Sequence, residues 1–295
     1  MTLTDDPYVE CLSSLSGAKV YMKPYLGNSG DSLIWMGNEA LFSKLGIART
    51  YSARDADVIL WPGGNPTMWR INIEGWQECW RKWPEKRFVV APATFHANSY
   101  NWQQLLRDSA PNLMAAFARD PQSFQNLTAA SLKPNVKIGL ADDPAFHLRD
   151  SEWIAKHREG AAEEYVLASF REDHESSYRP PRERRFTSRW PISAIVARRA
   201  KLDYISFQAR RLGKVRELSD KNAPIVHRDA PMMSFEAFVE CVRDASAVHT
   251  DRLHCMILAV MLGKKVFCYP TSYGKLEAVY EQSMKTWAPV TFVSI

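Results

Sequence analysis

Residues 249–254, with the sequence HTDRLH, place a carboxylate, a guanidinium and two imidazoles close together. The segment leads directly into the apolar stretch 255–262, which stops at Gly263. The planar fork of an arginine suits a carboxylate or a phosphate group, and an imidazole exchanges protons near neutral pH. Arg252 and His254 are therefore the first candidates for binding an anionic ligand and for moving a proton on it.

The pattern around this segment predicts a helix that follows a strand. Residues 246–248 predict the end of a strand, Thr250 or Asp251 can supply the N-cap oxygen, and Gly263 predicts the end of the helix. A helix N-terminus presents N–H groups and the positive end of the helix dipole, which together favour an anion. The first hypothesis is a ligand that carries a phosphate group.

A structural interpretation of the same residues competes with this hypothesis. Arg252 and His254 could instead pair with a nearby carboxylate, such as Asp251 or Asp244, and bind no ligand. The residues of this segment alone leave both interpretations open.

A second cationic candidate is Arg171, which directly follows a predicted strand over residues 165–170. In an open parallel sheet, ligands bind in the crevice beyond the carboxyl ends of the strands. Because a guanidinium in that place can bind a carboxylate or a phosphate, we expect Arg171 to contact the same anionic ligand.

Strands and helices alternate along the chain, with polar or Gly-rich turns after the strands. The predicted strands cover residues 17–26, 57–61, 87–90, 135–140, 165–170 and 223–226. Residues 112–118 are predicted to form a helix. Such alternation is typical of α/β proteins with doubly wound, mostly parallel sheets. A chain of 295 residues suits two domains, and we expect two Rossmann-like domains, residues 1–158 and 159–295, facing a cleft.

The cysteines, the N-terminal residues and the lengths of the apolar runs indicate in which cellular compartment the protein is expected. The five cysteines lack the paired spacing of a metal site and fit reduced thiols in a cytoplasmic protein. The N-terminal residues MTLTDDPY show no basic or apolar region typical of a signal peptide. The longest uninterrupted apolar run has 8 residues, whereas about 18 are needed to span a bilayer. We expect a cytoplasmic protein that binds no metal.

Positive charge is concentrated in the segment Arg179–Arg216. It contains twelve basic and two acidic residues, so its net charge is +10, and the rest of the chain carries −5 of the total of +5. Aromatic and proline residues are interleaved with this charge, as suits contact with an anionic membrane surface or a phosphorylated acceptor. Nucleic acid ranks lower because no nucleic-acid-binding motif accompanies the charge, and a solvated basic face is the structural alternative.

Two turns in the first half contain glycines, residues 27–31 (GNSGD) and 62–64 (PGG). Glycines allow a backbone to approach a ligand closely. The fingerprint G-x-G-x-x-G of dinucleotide-binding proteins is absent. An alternative is that Asp31 only caps the helix that follows the first turn.

These segments together resemble the polysaccharide pyruvyl transferase family. The most specific matches are the GNSGD turn and residues 247–270 (AVHTDRLHCMILAVMLGKKVFCYP), which Lys275 follows. The PGG loop and residues 171–175 (REDHE) also resemble family segments, and so do the turns that begin at Arg119 and Asp142. The resemblance extends from Gly27 to Lys275 and leaves the basic segment unmatched.

The resemblance implies a transferase with two domains arranged as in the GT-B glycosyltransferases. Such an enzyme joins the pyruvyl group of phosphoenolpyruvate to two hydroxyls of one sugar in an exopolysaccharide or cell-surface polysaccharide precursor. The products are a cyclic pyruvate ketal and phosphate. The implied partners are phosphoenolpyruvate and a sugar acceptor, such as a lipid-linked oligosaccharide at the inner face of the membrane. No cofactor and no nucleic acid are implied.

The resemblance also assigns roles to individual residues. Arg252 and Arg171, together with Leu253, are expected to bind phosphoenolpyruvate. His254 is the candidate general acid and Asp31 the candidate base. The candidates for acceptor binding or for mobile loops are Gly27, Asn28, Gly30, Gly63, Gly64, Asp173 and Lys275.

Two other functions remain open. In a nucleotide-sugar glycosyltransferase of the same architecture, Arg252 and the helix that follows it would hold a diphosphate. A non-catalytic polysaccharide- or membrane-binding module would turn over neither donor.

Overall fold

The computed structural model describes residues 6–97, 99–109, 112–171, 191–271 and 274–295, without the side chains of Pro66 and residues 191–201. The strands are β1 Lys19–Met22, β2 Ala48–Thr50, β3 Val58–Trp61, β4 Arg87–Ala93, β5 Leu113–Ala118, β6 Lys137–Leu140, β7 Tyr165–Ser169, β8 Ile225–His227, β9 Ala245–Thr250, β10 Lys265–Cys268 and β11 Val290–Phe292. The α-helices are α1 Pro7–Ser13, α2 Ser29–Leu45, α3 Arg70–Lys82, α4 Trp102–Ser109, α5 Pro121–Ala129, α6 Glu152–Glu159, α7 Pro191–Leu218, α8 Phe235–Arg243, α9 Leu253–Met261 and α10 Lys275–Ser283.

The strands form two parallel sheets, which confirms the α/β class expected from the sequence. The first sheet has the order β2-β1-β3-β4-β5-β6 and the second the order β11-β10-β9-β7-β8. Each sheet places its second strand on one side of its first strand and its third strand on the other side. The chain therefore changes winding direction between β1 and β3 in the first sheet and between β7 and β9 in the second. The carboxyl edge at such a switch point is where open α/β sheets bind ligands.

Helices cover both faces of the first sheet. All four residues of β3 are buried, as expected for a central parallel strand with two covered faces. One apolar cluster includes Ile59, Trp76 and Phe88 and lies on one face. The other includes Val58, Leu60 and Phe117 and lies on the opposite face, because successive side chains of a strand point to opposite sides.

The helix predicted over residues 112–118 is wrong, because residues 113–118 form the buried strand β5. Ala115 pairs with Val89 of β4 on one side and with Lys137 of β6 on the other. The three alanines in this segment favour a helix intrinsically, but pairing between two strands and burial on both faces outweigh that weak preference.

The chain divides into two compact units. The first comprises residues 1–156 and 278–287, and the second comprises 157–277 and 288–295. The sequence prediction of 1–158 and 159–295 had instead assigned the whole C-terminal part to the second domain. The segment 278–287 belongs to the first unit because its side chains pack there. The ring of Trp287 lies 6.0 Å from that of Phe146 and 4.1 Å from the Arg149 guanidinium.

Glycine at position 37 allows α2 to contact residues 144–148 closely. A Cβ atom built on Gly37 would lie 1.9 Å from the backbone oxygen of Pro144. In α7, by contrast, no atom lies within 4 Å of a Cβ built on Gly213.

Gly37→Ala is expected to lower the free energy of unfolding by about 1–3 kcal/mol, because the backbone must move to admit the methyl group. The matched change Gly213→Ala should raise it by up to about 1 kcal/mol, since alanine is the better helix former. Urea denaturation of both variants measures these changes. Equal effects of the two substitutions would contradict the close approach at Gly37.

Candidate functional site

In the second unit, the candidate residues of the HTDRLH segment lie at the switch point between β7 and β9. Ser169 and Thr250 are paired neighbours at the carboxyl ends of these strands. The Thr250 hydroxyl donates to the Ser169 carbonyl oxygen at 2.8 Å and accepts the backbone N–H of Arg252 at 2.9 Å. These bonds connect the turn before α9 directly to the end of β7.

The N-cap of helix α9 lies two residues after Thr250 and one residue after Asp251, the two predicted N-caps. Its N-cap residue is Arg252, and the Arg252 side chain does not cap the helix. Thr250 uses its hydroxyl within the preceding turn instead, and Asp251 uses its carboxylate toward β7 and α7. Gly263 has a φ of +76° and follows the end of α9, as the sequence predicted.

The carboxylate of Asp251 is the centre of a buried charge cluster. It is 1% exposed, and its Oδ1 accepts the backbone N–H of Arg171 at 2.8 Å. Its Oδ2 lies 3.4 Å from the guanidinium of Arg211. Burial raises the pKa of Asp251 to about 6, against the opposing effect of the Arg171 N–H and of the surrounding guanidinium groups.

Arg211 belongs to this cluster, although the sequence analysis counted it in the basic surface segment. It is 4% exposed, and its guanidinium lies 3.9 Å from the ring of Phe170. The signal that could have identified it is the spacing of Phe207, Arg211 and Val215, which lie four residues apart on one face of α7. Val215 is fully buried.

Arg252 is buried and pairs with a carboxylate, as the structural interpretation of its segment anticipated. The carboxylate that the structure shows bound to it is that of Asp229. The Nε of Arg252 donates to Asp229 at 2.8 Å, and a second guanidinium nitrogen contacts the other carboxylate oxygen. The loop that carries Asp229 is connected to β7, since the Ala230 N–H donates to the Ser169 hydroxyl at 3.1 Å. Such a bidentate pair fixes the orientation of the guanidinium.

The two histidines of the HTDRLH segment have different surroundings. His254 lies in the first turn of α9, next to the buried Leu253. His249 lies in the core, where its ring stacks on Phe267 at 4.4 Å. Its two nitrogens bond the hydroxyls of Ser219 and Tyr269. Burial lowers the pKa of His249 to about 4, so this histidine is a neutral structural residue.

Lys275 and Asp173 are the two remaining candidate residues after β7. Lys275 is buried at the start of α10, and its backbone N–H donates to the Thr271 hydroxyl at 3.2 Å. Asp173 lies outside the described residues.

In the first unit, Asn28 and Asp31 form a capping box at the start of α2. The Asp31 carboxylate accepts the Asn28 backbone N–H at 2.8 Å, and the Asn28 side chain accepts the Gly30 N–H at 2.9 Å. This is the capping role that the sequence analysis weighed against a catalytic role for Asp31.

The glycine at position 27 leaves room for the Asp31 carboxylate, and the glycine at position 64 lies beside it. A Cβ atom on Gly27 would lie 2.2 Å from Oδ2 of Asp31, and one on Gly64 would lie 3.4 Å from Oδ1. Gly63 and Gly64 also have φ values of +108° and +86°, which side chains disfavour. Steric clashes or positive φ values therefore explain why glycine occupies positions 27, 63 and 64 in the two turns.

A buried ion pair lies beyond β5 and β6. Arg119 and Asp143 are fully buried and pair at 2.5 Å. The Arg119 Nε donates to the Thr94 hydroxyl at 2.9 Å, and Asp143 accepts the Ala145 N–H. The turns that the sequence analysis noted at these residues thus connect adjacent strand ends.

In the part of the chain that the structure describes, no group of three or more His, Cys, Asp or Glu side chains could hold a metal ion. No helix there is both long and apolar enough to cross a membrane.

Residues 28–273 match the family model described as polysaccharide pyruvyl transferase. The match covers most of the chain, including the GNSGD turn from Asn28 and the whole HTDRLH segment. The chain belongs to the polysaccharide pyruvyl transferase family. This finding confirms the resemblance seen in the sequence, and this pyruvyl transferase is therefore an enzyme.

Three solved structures are similar to this pyruvyl transferase to different degrees. An uncharacterised protein of Klebsiella pneumoniae is 21% identical, with a TM-score of 0.64 over 98% of this chain and 97% of that chain. Anabaena HepE, solved with UDP and glucose, is 11% identical, with a TM-score of 0.40 over 88% of this chain and 82% of that chain. S. aureus MnaA, solved with UDP, is 11% identical, with a TM-score of 0.41 over 90% and 86%.

The Klebsiella structure shows a shared fold, and the other two are too distant to support an argument. The GT-B-like arrangement of the domains stays a prediction. No curated protein matches the chain.

Asp251→Asn is expected to change how the stability of the pyruvyl transferase depends on pH. Burial raises the Asp251 pKa from 3.8 to about 6, so the folded protein binds the extra proton between these values. This carboxyl therefore stabilises the fold below pH 4, and that contribution is lost as the pH rises through about 6. The loss is roughly 3 kcal/mol.

Denaturation of wild type and Asp251→Asn between pH 4 and pH 7 tests this expectation. The asparagine variant should lack that part of the pH dependence. Asp142, whose pKa burial also raises to about 6, is present in both proteins and cancels in the difference. Parallel pH curves would show that Asp251 does not titrate as expected.

Proposed function

We propose that this enzyme transfers the pyruvyl group of phosphoenolpyruvate to two hydroxyls of one sugar in a cell-surface polysaccharide precursor, forming a cyclic ketal and releasing phosphate. The family supports polysaccharide pyruvylation in general. The observation that carries the choice of donor is the cluster of three buried arginines, Arg171, Arg211 and Arg252, at one switch point. Among the described residues, the carboxylates of Asp251 and Asp229 lie beside these arginines.

The donor carries a phosphate and a carboxylate, which call for more than one cationic contact. Arg171 and Arg252 are assigned to these two groups, with Leu253 next to them at the start of α9. The N-terminal N–H groups of α9 favour the same anion. Arg211 packs against Phe170 and contacts Asp251, and it adds positive charge to the site.

In the proposed reaction His254 donates a proton to the methylene carbon of phosphoenolpyruvate, which becomes a methyl group. One sugar oxygen bonds to the central carbon and gives its proton to a base, for which Asp31 is the candidate. The second sugar oxygen then bonds to the same carbon, and the bond from that carbon to the phosphate oxygen breaks. Phosphate leaves with the electron pair, and the second hydroxyl proton is released.

Arg171→Ala and Arg252→Ala are each expected to weaken phosphoenolpyruvate binding. Each change removes a charge-assisted contact of about 1.5–3 kcal/mol, or roughly 10- to 150-fold in affinity. Arg252→Lys should recover only part of this, because an ammonium lacks the planar fork. Calorimetry of donor binding is the measurement.

Arg210→Ala is the matched control for these variants, because Arg210 is an exposed neighbour of Arg211 on α7. It should bind the donor as wild type does. Unchanged affinity in both Arg171→Ala and Arg252→Ala would refute the assignment of the donor site.

His254→Ala is expected to lower kcat by about 10²- to 10⁴-fold, the range for loss of a general acid. Its effect on donor affinity should be smaller, because the imidazole acts on the methylene carbon. Phosphate release with an acceptor extract of the polysaccharide precursor gives kcat, and calorimetry gives the affinity. Near wild-type turnover would remove His254 from the chemistry.

The same assay separates the proposal from its alternatives. Release of phosphate from phosphoenolpyruvate supports it, whereas release of a nucleotide from a sugar donor would support the glycosyltransferase. Turnover of neither donor would support the binding module.

Membrane contact through the basic segment stays a prediction within this proposal. Residues 179–189 lie outside the described residues. Arg211 is buried and is not available to a membrane, whereas Arg210 and Arg216 are exposed. A lipid-linked acceptor would lie at the surface that such charges attract.

A further inference from the structure

A cavity of about 270 Å³ lies at the switch point of the first sheet. Tyr25, in the segment after β1, and Trp61, the last residue of β3, both line it. Trp76 and Gly75 of α3 contribute to the wall from the helix side. The cavity therefore occupies the place at which open α/β sheets bind ligands, and it corresponds to the place of the arginine cluster in the second sheet.

Two unpaired donors distinguish this cavity from an ordinary gap in packing. Trp61 and Trp76 are 4% and 1% exposed, and their rings lie 4.6 Å apart. Neither buried indole N–H has a hydrogen-bond partner among the described residues. A buried donor without a partner is costly. Since both tryptophans line the cavity, a ligand with acceptor oxygens there is the candidate partner of these donors.

Hydrogen bonds between two lining residues fix the wall of the cavity, and exposed apolar side chains lie at its rim. The Asn72 side chain accepts the Leu26 N–H at 3.1 Å and donates to the Leu26 carbonyl oxygen at 3.2 Å. Leu26 and Ile71 also line the cavity, and they are 64% and 56% exposed. One cation, Lys23, lies in the wall and donates to the Pro24 carbonyl oxygen at 3.2 Å.

Tyr25 connects the cavity with the candidate base. A Cβ atom on Gly64 would lie 2.7 Å from the Tyr25 hydroxyl and 3.4 Å from Oδ1 of Asp31. Burial, and then the charge of Asp31, raise the pKa of Tyr25. The phenol therefore stays protonated beside the Asp31 carboxylate.

We infer that this cavity binds a sugar ring of the acceptor, and this inference rests on the proposed pyruvyl transfer. Neutral indole and phenol donors suit the ring and hydroxyl oxygens of a sugar, and the aromatic walls suit its apolar faces. The volume is below the range of about 300–1,000 Å³ that is usual for drug-sized ligands, so it favours one ring over a nucleotide sugar. Leu26 and Ile71 would contact the apolar part of a larger acceptor.

Indole N–H signals in two-dimensional NMR test the inference directly. The chain has 10 tryptophans, and Trp61→Phe and Trp76→Phe identify the two signals of interest. Methyl glucoside, methyl galactoside and methyl mannoside are the probes. At least one should shift both signals and leave unchanged that of Trp102, whose indole N–H already donates to the His96 carbonyl oxygen at 2.8 Å.

Gly75→Leu fills the cavity without changing either tryptophan. A Cβ at this helical position meets only the Lys23 Nζ, at 3.7 Å, so the variant should fold with an undiminished Tm. It should abolish the shifts caused by the glycoside. Gly213→Leu, the same change at a helical glycine with open space, should keep them.

Several outcomes would overturn the inference. They are glycoside shifts that spare Trp61 and Trp76, no shifts at all, or shifts of these two signals by UDP or inorganic phosphate but by no glycoside. Retention of the glycoside shifts in Gly75→Leu would also overturn it.

Calorimetry with phosphoenolpyruvate separates this inference from the proposed function. Gly75→Leu should bind the donor with the affinity of wild type. If the wild type binds a glycoside in the cavity but neither binds nor turns over phosphoenolpyruvate, the proposed function fails while saccharide binding stands. If the wild type turns over phosphoenolpyruvate but no glycoside shifts the two indole signals, the proposed function stands and the sugar site in the cavity fails.

Discussion

The second unit depends on one buried carboxylate, that of Asp251. It holds the backbone of Arg171 after β7 and lies beside Arg211 of α7, while Arg252 follows it in the chain. Buried guanidinium groups without a counter-charge would be strongly unfavourable, and a carboxylate at their centre offsets part of that cost. Asp229 has the corresponding role for Arg252. Among the described residues, Asp229 and Asp251 thus fix the positions of the Arg252 and Arg211 guanidinium groups.

The parallel sheet explains why these groups lie together. Strands that run in one direction end at one edge, and the change of winding direction leaves a gap between neighbouring connections at that edge. Both sheets have this switch point, between β1 and β3 and between β7 and β9. The second carries charged groups, whereas the first carries aromatic groups with neutral donors. The same backbone arrangement thus places charged groups at one switch point and an aromatic-lined cavity at the other, for which we propose an anion site and a sugar site.

Residues at other strand ends stabilise the connections between strands and helices. The Arg119–Asp143 pair joins the segments after β5 and β6, and the capping box at Asn28 fixes the start of α2. The Asp31 carboxylate has two effects. It caps helix α2, and its charge raises the pKa of Tyr25. A residue with a structural role can therefore face a ligand cavity, and neither role excludes the other.

Local sequence patterns were enough to predict the alternation of strands and helices, the glycine turns and the strand-to-helix unit that carries Arg252 and His254. The folded chain was needed to show that residues 113–118 form a central strand and that Arg211 is buried rather than part of a basic surface. It was also needed to show that two distant indole groups, Trp61 and Trp76, share a cavity. The physical reason is that burial, strand pairing and charge pairing depend on segments far apart in the chain, and local spacing does not contain that information.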